Sequence, residues 1–564
     1  MSGPGDRAPR RTTGRRPTLL PYAEGYTPGA IEVEWALDAS PGSKASARSH
    51  TPSAWKPGDL DEASSRTSER QPRKGRRRNP RHHVEESDAL VVPKKSANSR
   101  VTPEESMEGR SAAKGKLASR NARRTQGRES APTHLKRVGI RITKDKETRF
   151  SNLFCHLKVS LLRSAFHALR KHAATGIDEV DWVSYAGNLE EHLAALQDRL
   201  HRGSYHPLPV RRVYIPKADG RMRPLGVPAL EDKIVQQAVR MILEPIYEQH
   251  FVGFSYGFRP DRSAHDALDA VAVAITRKRT NWILDADIKS FFDTLHHGWM
   301  KKFLEHRIAD RRLVHLIVKW LNAGVWEAGH VQATQEGTPQ GGIISPLLSN
   351  IYLHYVLDLW AQQWRNRKAM QAVYVVRYAD DFVMGFEDGR DARRMKADLA
   401  RRLEQFGLAL HDEKTRVLSF GRYARERLAK DGRKPETFDF LGFTHIASQD
   451  KRGWFLLRRF TAKKKRTAKY AELKTELRTR RHAPIDETHQ WLNRVLRGHY
   501  NDYGVPGNER ALGRFRCQLR SAWYRQLRRR SQRATWTVSK TKRFERRYPL
   551  LRPKIMHPWP EERL

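Results

Sequence analysis

Two β-rich apolar runs, Ala372 to Tyr378 and Phe382 to Phe386, are separated by no more than Ala379, Asp380 and Asp381. So tight a connection joins antiparallel neighbours, and it predicts a β-hairpin with two carboxylates at its tip. A third acid occupies a similar place upstream, where Trp282, Ile283 and Leu284 form an apolar run without helical period that leads into Asp285, Ala286 and Asp287. Side chains repeat every two residues along a strand, so Asp285 shares the face of Asp287 and is read as a supporting group at best. If the two segments are adjacent strands, their acids repel and raise one another's pKa, and the cluster needs divalent cations to stay ionised. Hard oxygen donors favour Mg²⁺, which keeps several waters and shares its remaining positions with a phosphate. Two such ions roughly 3.5 to 4 Å apart activate an attacking oxygen and stabilise a leaving one. Asp-Asp at a turn is by itself most often a polar β-turn, so this reading depends on what else the chain contains.

The 564 residues carry a formal charge of +44, which calls for a polyanionic partner such as nucleic acid. The charge is uneven: +12 over residues 1–140, +9 over 141–450 and +23 over 451–564. A modestly charged middle beside a strongly basic end suits an enzyme body with a nucleic-acid clamp. Two cysteines, Cys155 and Cys517, supply neither a disulfide framework nor a four-cysteine zinc site, and they point to a reducing compartment. There is no apolar run of about 18 residues and no apolar stretch near the start. The expectation is a cytoplasmic, nucleoid-associated protein without a membrane partner.

From Met1 to about Leu135 the chain is rich in Ser, Arg, Pro and Gly, with basic runs such as Arg73 to Arg78, and reads as a disordered arm. Further on, Leu189, Leu193, Leu196 and Leu200 mark one face of a helix ended by Gly203. Val210 to Pro216, the turn Ala218-Asp219-Gly220 and Met222 to Val227 make a basic-tipped hairpin. A helix from about Glu231 to Gln249 follows. Beyond Lys451 helices take over. Trp491, Leu492, Val495, Leu496 and Tyr500 share one face of a first helix. Leu512, Phe515, Leu519, Trp523 and Leu527 share a face of a second, leaving Arg514, Arg516, Arg520, Arg525, Arg528, Arg529 and Arg530 largely outside as candidate phosphate ligands. The histidines, among them His296, His297 and the pair His82 and His83, show no metal-ligand spacing.

The string Tyr378-Ala379-Asp380-Asp381 resembles the signature of reverse transcriptases, and Asp287-Ile288-Lys289-Ser290-Phe291-Phe292-Asp293 resembles their other catalytic strand. Between them, Gly337-Thr338-Pro339-Gln340-Gly341-Gly342 and the following Ile343 to Asn350 are similar to a loop and helix of group II intron reverse transcriptases, which retroviral enzymes do not share. Ile215-Pro216-Lys217 through Arg223 to Pro228, the loop Phe254 to Pro260, Phe438 to Phe443 and Leu496 to Tyr503 extend the likeness from about residue 145 onward.

The resemblance implies an α+β right-hand polymerase. Its divisions would be a disordered extension (1–140), N-terminal helices and fingers (141–275), a palm with the catalytic strands (276–450) and an all-α thumb or maturase X domain (451–564), with antiparallel sheet in fingers and palm. Asp287, Asp380 and Asp381 become ligands of two Mg²⁺ ions. Lys217 and Arg223 would hold the incoming triphosphate, although a solvated turn would look alike. Phe292 would exclude a ribose 2′ hydroxyl, with Phe291 the adjacent alternative and either one a core residue instead. Gln340 would lie beside the templating pair. Lys414 resembles a further family block, against a plain surface lysine.

The implied activity is RNA-directed DNA synthesis with a maturase role in intron splicing and mobility. Its partners would be intron or other template RNA, a DNA primer or target and dNTPs, with a homodimer left open. A cysteine-rich endonuclease segment is not expected, so the protein would prime on an existing 3′ end or depend on its ribozyme. Two alternatives stand beside this: a splicing factor with a vestigial polymerase, and a group II-like enzyme co-opted for defence or repair.

Overall fold

The computed structural model describes residues 149–216, 222–334, 336–338, 340–531 and 537–559. The expected N-terminal arm and Lys217 lie outside the described residues. Eleven strands are described: β1 (Val210–Pro216), β2 (Met222–Val227), β3 (Trp282–Asp287), β4 (Val325–Glu327), β5 (His330–Gln332), β6 (Val373–Tyr378), β7 (Asp381–Phe386), β8 (Arg416–Ser419), β9 (Thr437–Phe440), β10 (Phe443–Gln449) and β11 (Phe455–Thr461). They form three sheets, ordered β2-β1-β4-β5, β6-β7-β3-β8 and β11-β10-β9, among many helices.

In the first sheet β1 and β2 form the expected hairpin, running from Arg211 opposite Val227 to Pro216 opposite Met222. The expectation of a wholly antiparallel sheet there needs correction, because β1 pairs β4 in parallel through Val210 and Val325. Parallel neighbours need a crossover, and more than ninety residues separate these two. Neither β4 nor β5 has the length or alternation to announce itself in sequence. The second sheet is antiparallel throughout.

Both faces of this second sheet are covered. Leu284 and Met384 are buried with Met395 and Leu399 of the helix Gly389–Glu404. Ile283, Val376 and Val383 are buried with Ala267 and Val271 of the helix Ala264–Thr276, and with Phe438 and Phe443 of the third sheet. Burial on two sides is why these strands are continuously apolar and not alternating. A third core, with Leu473, Leu492, Leu496, Phe515, Leu519 and Trp523, joins the helices Lys463–Thr479, Ile485–Tyr503 and Glu509–Arg528.

The helix Leu189–Arg202 buries Leu193, Leu196 and Leu200 and ends where Gly203 turns left-handed at φ +80°, a conformation glycine adopts without steric cost. The predicted helix near Glu231 spans Leu230–Glu248, with Pro245 inside it. β10 and β11 form one hairpin, so a division at residue 450 falls in its turn. The expectation of an all-α region over 451–564 needs correction, because that region opens on strand β11, with helices only from Lys463 onward. No described helix is long and apolar enough to cross a membrane.

Candidate active site

Strand register brings the three acids together. Asp287, the last residue of β3, lies opposite Asp381, the first of β7. Asp381 also faces Tyr378 across the β6–β7 turn, and Asp380 sits at that turn after Ala379, whose φ is +58°. The loop that follows the helix Leu230–Glu248 supports the turn from below. Tyr256 N–H donates to the Arg377 carbonyl at 2.8 Å, and a Cβ on Gly257 would collide with the Ala379 backbone. Glycine is therefore a steric requirement at position 257.

Asp287 and Asp381 line an open cavity of about 560 Å³ whose wall includes Asp285, Lys414, Arg416 and Asp439. Lys414 forms an ion pair with Asp287, and Arg416 lies 3.4 Å from Asp285. Asp285 is pushed up to about 6, chiefly by burial, with Arg416 opposing. Asp381 is likewise pushed up to about 6, by its concave setting and then by the charges of Asp380, Asp287 and Asp285, with Lys414 opposing. Asp380 is raised by burial and by Asp287, while Arg223 and Arg377 counteract. Among the described residues no three acidic, histidine or cysteine side chains converge into a formed metal cage. What the site does have is a set of hard oxygen donors in mutual repulsion, one of them already neutralised by an ammonium group, and this donor set suits a divalent cation.

Arg223, exposed on β2 opposite Ile215, is close enough for its charge to act on Asp380. Phe291 is buried in the main core, whereas Phe292 is partly exposed beside it with ring centroids 5.4 Å apart. The Gln340 carbonyl accepts the Gly226 N–H at 2.8 Å, which docks its loop against β2. At Gly341, φ +123°, a Cβ would stand 2.7 Å from the Gly226 carbonyl.

Two residues gain a role that sequence left open or missed. Lys414 is the partner of Asp287. Asp439 lines the cavity, and the alternation of buried Phe438 and Phe440 about it was the available signal. His296 and His297 are both structural. His296 caps the helix His297–Arg307, and His297 bridges Asn322 and the Gly337 carbonyl. His82 and His83 lie outside the described residues.

The C-terminal arginines divide. Arg514, Arg528 and Arg529 are exposed. Arg516 donates to the Leu550 and Leu551 carbonyls at 3.0 Å, Arg520 pairs with Glu545 at 3.3 Å, and Arg525 donates to the Tyr470 hydroxyl at 3.0 Å. Arg530 holds the Ala483 carbonyl at 2.7 Å.

Residues 215–445 match the family model described as reverse transcriptase (RNA-dependent DNA polymerase). Protein YkfC of Escherichia coli (strain K12) is 44% identical over 239 residues, covering 37% of this chain and 62% of YkfC. The group II intron-encoded protein LtrA of Lactococcus lactis subsp. cremoris is 39% identical over 229 residues, covering 39% of this chain and 38% of LtrA. Nuclear intron maturase 2 of Arabidopsis thaliana is 34% identical over 92 residues, 15% of this chain and 12% of that protein. The chain thus covers less than two thirds of the length of each of these curated relatives.

Proposed function

We propose that the chain is an RNA-directed DNA polymerase with a maturase role in intron splicing and mobility, a reading supported by the reverse transcriptase match over residues 215–445 and by the similarity to a group II intron-encoded protein. The observation that carries this reading is the pairing of Asp287 with Asp381 on adjacent strands, with Asp380 on the adjoining turn.

In this reading Asp287, Asp380 and Asp381 hold two magnesium ions. Bound there, the ions would activate a primer 3′ oxygen and stabilise the departing pyrophosphate. Lys414 anchors the Asp287 carboxylate at the cavity wall. Lys217 and Arg223 grip the triphosphate, the guanidinium offering paired donors to its oxygens. Phe292 occupies the place a ribose 2′ hydroxyl would need, and the Gln340 loop, tied to β2, flanks the templating base.

Residues 141–275 serve as fingers, 276–450 as palm and 451–564 as thumb and X domain. The first of these and the last, through Arg514, Arg528 and Arg529, grip folded intron RNA by its phosphates.

The test is dTTP incorporation on poly(rA)/oligo(dT) with Mg²⁺, run beside a splicing assay on intron RNA. Synthesis by the wild type, lost in Asp381→Ala, is the expected result. Improved splicing with no synthesis by the wild type would leave a splicing factor with a vestigial polymerase.

A further inference from the structure

Beneath the acidic turn lies a fully buried ion pair. Arg377, on β6, and Asp358 both have side chains at 0% exposure. All five guanidinium N–H donors are used. Nε and Nη2 donate to the two Asp358 carboxylate oxygens at 2.7 and 2.5 Å, Nη2 also to Ser255 Oγ at 2.7 Å, and Nη1 to Asn350 Oδ1 at 3.0 Å and to the Ala379 carbonyl at 2.9 Å. Asn350 then donates from Nδ2 to the Gly257 carbonyl at 2.7 Å.

The acceptors come from a loop, a helix and the turn itself, so the guanidinium is the point where these segments meet. Its last acceptor is the peptide between Ala379 and Asp380. Ala379 is held at φ +58°, a conformation of non-glycine residues that persists when the surrounding structure over-determines it.

The helix that supplies Asn350 and Asp358 is built unusually for this purpose. It runs as α-helix over Ser345–Leu353, as π-helix over His354–Asp358 and again as α-helix over Leu359–Arg367. Eight residues at about 100° each would leave Asn350 and Asp358 roughly 80° apart around the axis. The wider π turn takes about 18° off each of its five residues and brings both side chains to one face. Local hydrogen-bond geometry is thus given up so that two polar groups meet one arginine.

A buried ion pair is weak evidence for stability, since apolar residues of similar volume often replace one without loss. A purely structural account leaves the fifth bond, to Ala379, without a purpose. We infer that Arg377 and Asp358, with Asn350 and Ser255, are positioning residues that fix the Ala379 peptide and thereby set where Asp380 and Asp381 stand relative to Asp287. This rests on the polymerase reading for its consequence in catalysis, but its direct effect is on the cation affinity of the acidic site.

The test uses the full chain and three variants: Arg377→Lys, Asn350→Ala, which leaves the ion pair in place, and the double variant Arg377→Met with Asp358→Leu, which replaces the pair by apolar side chains. Tb³⁺ luminescence, sensitised by nearby tyrosines and abolished by Asp380→Asn with Asp381→Asn, reads the site without turnover. The Mg²⁺ concentration for half-maximal dTTP incorporation reads it in action.

For the folded variants, Tb³⁺ affinity is expected to weaken at least about threefold and the Mg²⁺ midpoint to rise by a similar factor. kcat should fall at least about tenfold, while KM for template–primer stays within about twofold. The double variant should retain thermal stability without recovering cation affinity. Wild-type Tb³⁺ affinity and Mg²⁺ midpoint in Asn350→Ala and the double variant would overturn the inference, whatever their melting temperatures. Should the wild type make no DNA, the polymerase reading fails and the Tb³⁺ measurement still decides the positioning role.

Discussion

Phe291 and Phe292 are identical neighbours that their surroundings separate. Phe291 is 2% exposed in the main core, while Phe292 keeps an exposed edge. Replacing Phe292 by Val is expected to raise rNTP use relative to dNTP by about tenfold with little change in stability. Phe291→Ala is expected to cost about 3 to 5 kcal/mol of stability, measured by denaturant titration, and to leave sugar selection unchanged. Sequence left the choice between them open because adjacency gives both the same local pattern.

The acids allow a second expectation at this scale. Asp381 and Asp285 titrate near 6 in the folded chain, above the usual carboxylate range. Below about pH 3 both are largely protonated, folded or unfolded. As pH rises towards 6 the unfolded chain gives up these protons first, so folding loses stability across that window and stays lower above it. Asp381 reaches solvent, which screens the effect to about 1 kcal/mol. Metal-free Asp381→Asn should therefore melt about 2 °C higher than wild type at pH 7, and the gap should shrink as pH falls and close by about pH 3. A lower melting temperature for the variant at pH 7 would contradict the repulsion.

Elements behave differently according to how their faces are spent. On the helix Glu509–Arg528 the apolar stripe of Leu512, Phe515, Leu519 and Trp523 is buried as its 3.6-residue period requires. The arginines off that stripe look alike in sequence, yet Arg516 ties down a strand of chain 34 residues away and Arg514 and Arg528 face outward. Changing Arg514, Arg528 and Arg529 together to Gln should weaken RNA binding and flatten its dependence on log salt by about 0.7 to 0.9 for every phosphate no longer neutralised. Arg516→Gln should lower the melting temperature instead and leave the salt slope alone. Filter binding across a KCl series, with thermal melts alongside, separates the two.

At the scale of the whole molecule, the acids proposed to be catalytic, on β3 and the β6–β7 turn, and the exposed arginines proposed to hold RNA, at the C-terminal helices, lie on different elements. Asp380→Ala should therefore abolish DNA synthesis and leave RNA affinity within about twofold of wild type at fixed salt. A collapse of both would mean that the acids shape the RNA surface as well.

The sequence by itself determined the local things: that the runs at β1, β2, β3, β6 and β7 are strands, that Asp287 ends one and Asp380 and Asp381 close a hairpin, and which helix faces are apolar. Alternation, period and turn chemistry are written within a few residues, and short-range backbone geometry obeys them. Tertiary structure alone decided the pairings: Asp287 opposite Asp381, Lys414 on a carboxylate 127 residues away, β4 parallel to β1, and Arg377 with Asp358, Asn350 and Ser255. A charged or strand-forming residue carries no local mark of its distant partner, and that choice is fixed when the core closes and each buried polar group must find an acceptor or donor.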